Sequence, residues 1–404
     1  MTAMQKAVGS PLEILLVFLR LGLTCFGGPI AHLGYFRDEF VARRKWLDES
    51  AYADLVALCQ FLPGPASSQV GFSIGLVRGG YVGGLAAWAG FTLPSALILV
   101  MFAYGASLFH GAAEEGLLHG LKLVAVAIVA QAVWGMARTL CPDRERASIA
   151  VAAVAILSIS ASSAAQIATI VMGGVAGLWL CRAEPMRADA IYGLLTPVSR
   201  GAGVAALCVF FALLAGLPIL ERLTQSQGIA YFDAFYRSGA LVFGGGHVVL
   251  PLLREAVVAP GWISDTAFFA GYGAAQAVPG PLFTFAAYLG AVAGPPPNGI
   301  EGAAIGLLAI FIPGLLALLG LLPFWEAFRR RPGAHAAMRG VNAAVVGLLG
   351  AALYNPLWVG AVSTRADFAL ALSGFLLLTA WRAPPLLVVV LGALAGVIPA
   401  LASS

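Results

Sequence analysis

Two segments, FLPGPASSQ (Phe61–Gln69) and AVPGPLFTF (Ala277–Phe285), set Pro-Gly-Pro inside otherwise apolar runs. Proline lacks an amide hydrogen and clashes with the turn before it, so neither segment continues a helix. A helix that restarts after Pro65 or Pro281 presents free amide hydrogens and the positive end of its dipole, and such an end binds anions. The hydroxyls of Ser67, Ser68 and Thr284 fall in the first turn of the restarted helices and add neutral donors. Gly27-Gly28 and Gly244-Gly245 carry no Cβ and let a ligand approach the backbone. Arg20 and Arg237 each stand six residues before a Phe-Gly-Gly, inside an apolar run. An arginine fork suits an oxyanion better than a lysine does. The two arginines can also snorkel toward headgroups, and that reading fits Arg37 and Arg254, nearer the loops, better still. Gln60 and Gln276, three residues before each Pro-Gly-Pro, can meet either a ligand or the broken backbone. The expected site therefore centres on Pro63, Gly64 and Pro65 with Pro279, Gly280 and Pro281.

The scaffold that must hold these groups is set by composition. The chain of 404 residues is 60% hydrophobic and only 10% charged, against roughly 25% charged in soluble domains. Such a chain cannot cover a water-facing surface, so its solvent is lipid, and its length allows about ten crossings. An arginine at membrane depth costs at least about 2.5–3.5 kcal/mol, which makes Arg20 and Arg237 functional candidates by default. The net charge of +4 and the absence of basic runs interleaved with aromatics point away from nucleic acid. Cys25, Cys59, Cys141, Cys181 and Cys208 form no CxxC pair, so no metal knuckle or disulfide framework is indicated. No HExxH or GxxxxGK[ST] occurs, which argues against a metalloprotease or an ATP-driven pump; no cofactor is expected. Glu13, Asp38, Glu39, Asp54, Glu255 and Asp265 make no acid–base pair at an obvious spacing, so an enzyme is not expected. The N-terminus lacks a small-residue cleavage site and does not read as a cleavable signal peptide. His247, without a partner histidine or carboxylate at ligand spacing, reads as a satisfied polar group.

Sliding the chain over itself by about 217 residues reveals a repeat. FLRLGLTCFGG falls on FYRSGALVFGG, and Arg37-Asp38 on Arg254-Glu255. After a one-residue slip, Trp46 meets Trp262, Gln60 meets Gln276, and the two Pro-Gly-Pro segments coincide. Pro94 then matches Pro313, and Gly120 matches Gly340. Loop charge sets the relative orientation, because short cytoplasmic loops collect Lys and Arg. FRDEFVARRKW is basic where its counterpart LREAVVAPGW keeps one arginine, while HGAAEEGLLHG is acidic where FRRRPGAHAAMRG is basic. The reversed bias predicts inverted repeats, residues 1–181 and 228–404, joined by 182–227, which holds the polar stretch Arg182–Gly193 and an extra crossing near 200–219.

With Arg43, Arg44, Lys45 and Arg78 on one face, Ala51–Val77 enters and leaves on that face as a re-entrant hairpin with Pro-Gly-Pro at its tip. Thr266–Val292 does the same from the other side, and Pro11–Phe40, bent at FGGP, either crosses or re-enters. Further crossings are expected near 81–108, 117–138, 147–163, 165–181, 302–325, 337–354, 366–381 and 384–402. The expected fold is thus an all-α polytopic membrane protein of two inverted-topology repeats, with re-entrant or broken helices meeting near the bilayer midplane. Gly79–Gly84 and Gly173–Gly177 read as small-residue packing faces.

The long motifs FGGPIAHLGYFRDEFVARRKW…QFLPGPASSQVGFSIG and FGGGHVVLPLLREAVVAPGW…QAVPGPLFTFAAYLG resemble the signature of the chromate ion transporter family in its two-domain form. The resemblance implies a multi-pass protein of the inner (plasma) membrane that exports chromate, a tetrahedral dianion much like sulfate, and so confers chromate resistance. It carries over motif positions Arg20, Phe26, Gly27, Gly28, Pro29, Gln60, Pro63, Gly64 and Pro65, with Arg237, Gly244, Gly245, Pro279, Gly280 and Pro281 in the second half. The second half reads GGG where the first reads GGP, so Pro29 has no counterpart.

The expected mechanism is electrogenic secondary transport by alternating access, with the dianion between the two tips and neutralised by Arg20 and Arg237. Expelling a dianion from a negative interior gains roughly 4.6 kcal/mol per 100 mV, so export needs no ATP. The alternatives are a passive oxyanion channel and a transporter of sulfate or another oxyanion. Proton coupling would call on an intramembrane carboxylate; Asp54 is the candidate, although its repeat counterpart is Ala270. A homodimer is the candidate assembly.

Overall fold

A computed structural model of the chain describes residues 9–106, 112–160, 162–181, 198–243, 246–329 and 331–403. Arg182–Gly193 and Gly244-Gly245 lie outside the described residues. Among the described residues every regular element is helical.

In the first half, α1 (Pro11–Thr24) starts with Ser10 as its cap and proline in its first turn. It stops at Cys25, and α2 (Gly28–Phe36) restarts beyond the FGG bend. A π-helical stretch, Arg37–Arg43, follows. Next comes α3 (Glu49–Phe61), whose Asp48 cap accepts from the Ala51 amide. Leu62 leaves the helix, and α4 (Ala66–Ala106) opens directly after Pro65. It is not one helix: Gly79 and Gly80 have non-helical backbone angles, and they separate the restarted segment from the crossing that follows. The Gly79–Gly84 stretch therefore does two jobs. Gly83 packs backbone to backbone on Gly75, as a small-residue face should, but Gly79-Gly80 form the turn. Then come α5 (Ala112–Leu140), α6 (Arg144–Ile159) and α7 (Ser163–Leu180).

The connecting helix α8 (Arg200–Thr224) shows Val204, Phe211, Ile219 and Leu223 to its surroundings, as a lipid-facing crossing does. In the second half α9 (Gln227–Ala240), α10 (Val249–Val257), α11 (Asp265–Ala277) and α12 (Phe285–Val292) repeat the first half's bends. The lengths match as well: α1 and α9 have 14 residues each, α3 and α11 have 13. There follow α13 (Gly299–Leu321), the short α14 (Trp325–Arg329), α15 (Pro332–Ala352), the short α16 (Val359–Ala361), α17 (Arg365–Thr379) and α18 (Pro385–Ser403). Among the described residues, five helical stretches are long and apolar enough to cross a membrane: Ala66–Gly105, Glu115–Leu140, Arg200–Thr224, Gly299–Phe324 and Pro332–Ala361. The chain is a multi-pass α-helical membrane protein.

The halves are interleaved. The long α5 of the first half packs on α17 and α18 of the second, while α15 of the second packs on α6 and α7 of the first. Glycines make both seams, which lets the backbones touch. Gly116 and Gly120 meet Gly396 and Gly392, and Gly340 meets Gly173 and Gly177, so the Gly173–Gly177 face packs as its sequence suggests.

Arg37 and Arg254 have equivalent tasks as well. Arg37 Nε lies 2.6 Å from Glu49 Oε1, and Arg254 grips Asp265 with two hydrogen bonds of 2.7 and 2.9 Å. Each pair ties the stretch after the bend to the first turn of the next helix. Because both partners are partly exposed, Asp265→Asn is expected to lower stability by only about 1 kcal/mol, read as a small drop in melting temperature with transport retained.

Candidate functional site

The two Pro-Gly-Pro tips are held by a matched pair of hydrogen bonds. The Gly64 amide donates to the Val242 carbonyl at 2.8 Å, and the Gly280 amide donates to the Cys25 carbonyl at 2.9 Å. Cys25 and Val242 are repeat counterparts, each one residue before a Phe-Gly-Gly. Each tip is thus bonded to the bend of the opposite half. Both glycines have left-handed backbones, φ 113° and 95°, which Pro-Gly-Pro supplies and a side chain resists. A Cβ on Gly64 would stand 2.8 Å from Gly314 Cα, and one on Gly280 would stand 2.7 Å from Ser95 Oγ. Ser95 and Gly314 are counterparts again, each following the matched prolines Pro94 and Pro313. Pro29 and Gly246, the residues after the glycine pairs, also face each other: a Cβ on Gly246 would lie 3.4 Å from Pro29 Cγ. Four bends therefore converge on one centre.

The restarted helices differ. α4 is α-helical from its first turn, with the Gln69 amide on the Pro65 carbonyl at 2.9 Å. The second restart is a 3₁₀ turn, Leu282–Thr284, in which the Thr284 hydroxyl donates back to the Pro281 carbonyl at 2.8 Å. Ser67 is buried, its Oγ 3.3 Å from His32 Nδ1. Ser68 is buried too, and its hydroxyl has no partner among the described residues.

The other residues expected at the site differ in exposure and partners. Arg20 is exposed, flanked by the exposed Leu16, Leu19 and Leu23 on α1. Arg237 is half-exposed and its Nε donates to Asp233 at 2.9 Å. Asp233, buried four residues earlier, escaped the sequence reading, although the i,i+4 spacing of opposite charges was there to find. Its counterpart is Leu16, so the two arginines are not equivalent. Gln60 is exposed and Gln276 half-buried. The glutamine that serves the broken backbone is instead Gln69, whose Nε2 donates to the carbonyls of Pro63 and Gly314, both at 2.8 Å. Gly27 and Gly28 shape the first bend, with open space in front of Gly28. His247 bonds the Tyr272 hydroxyl at 2.7 Å and is the satisfied polar group its sequence context suggests.

A cavity of about 300 Å³ lies elsewhere, among α10, α11, α15 and α6, with Arg254, Glu255, Asn355, Leu250 and Phe269 in its wall.

Around this matched centre the packing is one-sided. α11 lies on α5 so closely that a Cβ on Gly273 would come 2.7 Å from the Leu121 carbonyl, and Phe269 on the same face is buried. The counterpart face of α3, formed by Ala53, Ala57 and Gln60, is exposed. Pro251 and Leu252 of α10 are buried beside α7 and α15, with Leu252 only 7% exposed, whereas their counterparts Gly34 and Tyr35 are exposed, Tyr35 by 43%. The bundle of α5, α6, α7, α15, α17 and α18 thus leans on the broken segments of the second half. It touches α3 through His335 of α15, which meets Phe61 beside Trp325 and Phe328 of α14.

Comparison with known proteins agrees with this architecture. The family model described as "Chromate transporter" matches residues 12–178 and 229–397, one stretch in each half. The chain is 29% identical to a chromate transport protein of Pseudomonas aeruginosa over 393 residues, covering 94% of this chain and 90% of the relative. It is 28% identical to a probable chromate transport protein of Synechococcus elongatus, covering 94% and 93%, and 26% identical to a chromate transport protein of Cupriavidus metallidurans, covering 83% and 80%. No solved structure matches. With both halves matched and relatives aligned almost end to end, this chain belongs to the chromate transporter family.

Proposed function

We propose that this protein carries chromate, or a closely similar divalent oxyanion, out of the cell by alternating access between two inverted repeats. The family and the names of its relatives support the substrate. One observation carries the mechanism: a centre built twice over, with the Gly64–Val242 and Gly280–Cys25 bonds, is clasped from one side only. A repeat protein whose core is matched and whose surround is lopsided has a second state of similar energy, in which the bundle leans the other way. The bonding of each tip to the bend of the opposite half favours such a carrier over an open pore. In this reading the anion binds at the Pro-Gly-Pro tips, and Arg20, on the exposed face of α1 leading to the open Gly28, draws it in. Repeats 1–181 and 228–404 are the two units that exchange roles.

The test is chromate flux in liposomes of set potential, reconstituted with the purified protein. Efflux is expected to quicken as the interior is made negative, and unlabelled chromate on the far side is expected to accelerate exit of labelled chromate. Indifference to potential removes electrogenic export; absence of countertransport removes the carrier. Arg20→Ala is expected to raise KM with kcat less affected. Arg237→Ala, which leaves the buried Asp233 without its partner, is expected to lower the melting temperature instead.

A further inference from the structure

We propose that the oxyanion is bound by the first half alone, on the opening turn of α4, the Ser68 hydroxyl and the imidazole of His32, while the second half supplies an apolar wall. This deepens the oxyanion reading above and rests on it.

His32 stands where the tips meet. Its Nδ1 reaches Ser67 behind the first tip, and the ring also hydrogen-bonds the backbone of Cys25, whose carbonyl receives the second tip. Its ring meets Phe91 edge-on at 5.2 Å, and the Phe91 carbonyl would be 3.2 Å from a Cβ on Gly280. His32 is 1% exposed and Ser68 2% exposed, yet His32 Nε2 and Ser68 Oγ make no well-formed hydrogen bond among the described residues. The Thr92 hydroxyl, on the residue after Phe91, is buried and unpartnered too. Buried donors without partners are costly, and Ser68, in the first turn of α4 beside the free amides of that helix start, offers an anion such a donor, with His32 one contact away through Ser67.

The duplication supplies the control. The counterparts of His32, Ser67, Gln69 and Thr92 are Val249, Phe283, Phe285 and Phe311, all buried, with Phe283 against Phe311 at 5.9 Å. Ser68 matches Thr284, but that hydroxyl is spent on the Pro281 carbonyl. Beyond its backbone amides such a wall offers a desolvated dianion no donor, so the second tip cannot share the load equally. It can close the site and keep water out.

The experiment measures binding of chromate and of sulfate to the purified full-length protein by calorimetry, with melting curves for every variant. Ser68→Ala and His32→Ala are each expected to raise Kd at least about tenfold, the worth of one hydrogen bond to a charged group. Thr284→Val is expected to change Kd by less than about twofold, since that hydroxyl serves the turn. Ser68→Thr, which keeps the hydroxyl, is expected to recover binding, and this separates a lost contact from a misfolded tip. Equal losses for Ser68→Ala and Thr284→Val overturn the one-sided site and leave oxyanion transport standing. Binding of neither anion by the unaltered protein overturns both.

Discussion

Gly64→Ala is expected to cut chromate transport by at least about tenfold, Gly280→Ala by less, and Gly28→Ala least of the three. All three positions have left-handed backbones, at φ 113°, 95° and 76°, and a side chain there costs about 1–2 kcal/mol. What differs is the space. A Cβ on Gly64 would run into Gly314 Cα at 2.8 Å, and a backbone atom inside a packed helix cannot turn aside. Overpacking of that kind costs about 1–3 kcal/mol more. The tip would have to retreat, stretching the Gly64 bond to Val242, for a further ~1 kcal/mol. At Gly280 the obstacle is the Ser95 hydroxyl, which can rotate away, with the Phe91 carbonyl behind it at 3.2 Å. At Gly28 nothing lies within 4 Å, so only the backbone strain remains. Since about 1.4 kcal/mol is tenfold, the three variants separate clearly in initial rates of liposome uptake normalised to inserted protein. Equal rates in Gly64→Ala and Gly28→Ala would show that the contact between the halves at the tip is not needed for transport.

Much of this centre was legible in the chain because its signals are covalent and local. Proline and glycine break helices wherever they fall, so Leu62–Pro65 and the stretch before Leu282 had to leave the helix, and the repeat in register announced that both breaks serve one purpose. The start of the crossing near Tyr81 was legible from loop charge at Arg78, whereas Gly79-Gly80, read as part of a packing face, form the turn there. What stayed hidden depends on which side of a helix faces which neighbour. In a chain that is apolar all round, periodicity gives no inside or outside, because lipid and core select the same residues. Hence the repeat singled out Gln60, while Gln69 on the other side of the same break carried no mark, and only the packing of α4 on α13 selects it. Arg20 and Arg237 looked like a pair because the repeat aligns them. Their difference lies in Asp233 against Leu16, a single divergence within the repeat. The exchange of α6 and α7 for α17 and α18 between the halves is tertiary, and no local pattern encodes it. His32 carries no mark of its own in the chain, because the repeat places Val249 opposite it.

Ala57→Trp is expected to leave the melting temperature within experimental scatter and yet reduce transport at least about tenfold, the clearest mark of a face that is free in one state and buried in the other. Here Ala57 is exposed, so an indole at that position displaces nothing. Its counterpart Gly273 shows what the opposite state requires: there the helix lies on the Leu121 carbonyl with no room for a methyl group. In the second state proposed above, the matching contact of the first half would be α3 on α15, with Ala57 beside Val341, the counterpart of Leu121. A tryptophan there would hold α15 off and trap the protein as it now stands.

The converse variant, Gly273→Leu, wedges α11 from α5 and is expected to populate the other state while also slowing the cycle. A direct check pairs Ala57→Cys with Val341→Cys in a Cys208→Ser background, Cys208 being the exposed native thiol. A disulfide needs Cα atoms about 4.4–6.8 Å apart, so it forms only while those helices meet. Oxidation is expected to proceed faster under a chromate gradient, to arrest transport, and to be undone by a reductant. If α3 merely faces lipid or a second copy of the chain, the disulfide does not form within one chain and Ala57→Trp transports normally, and the rocking of the bundle between the two halves is then excluded.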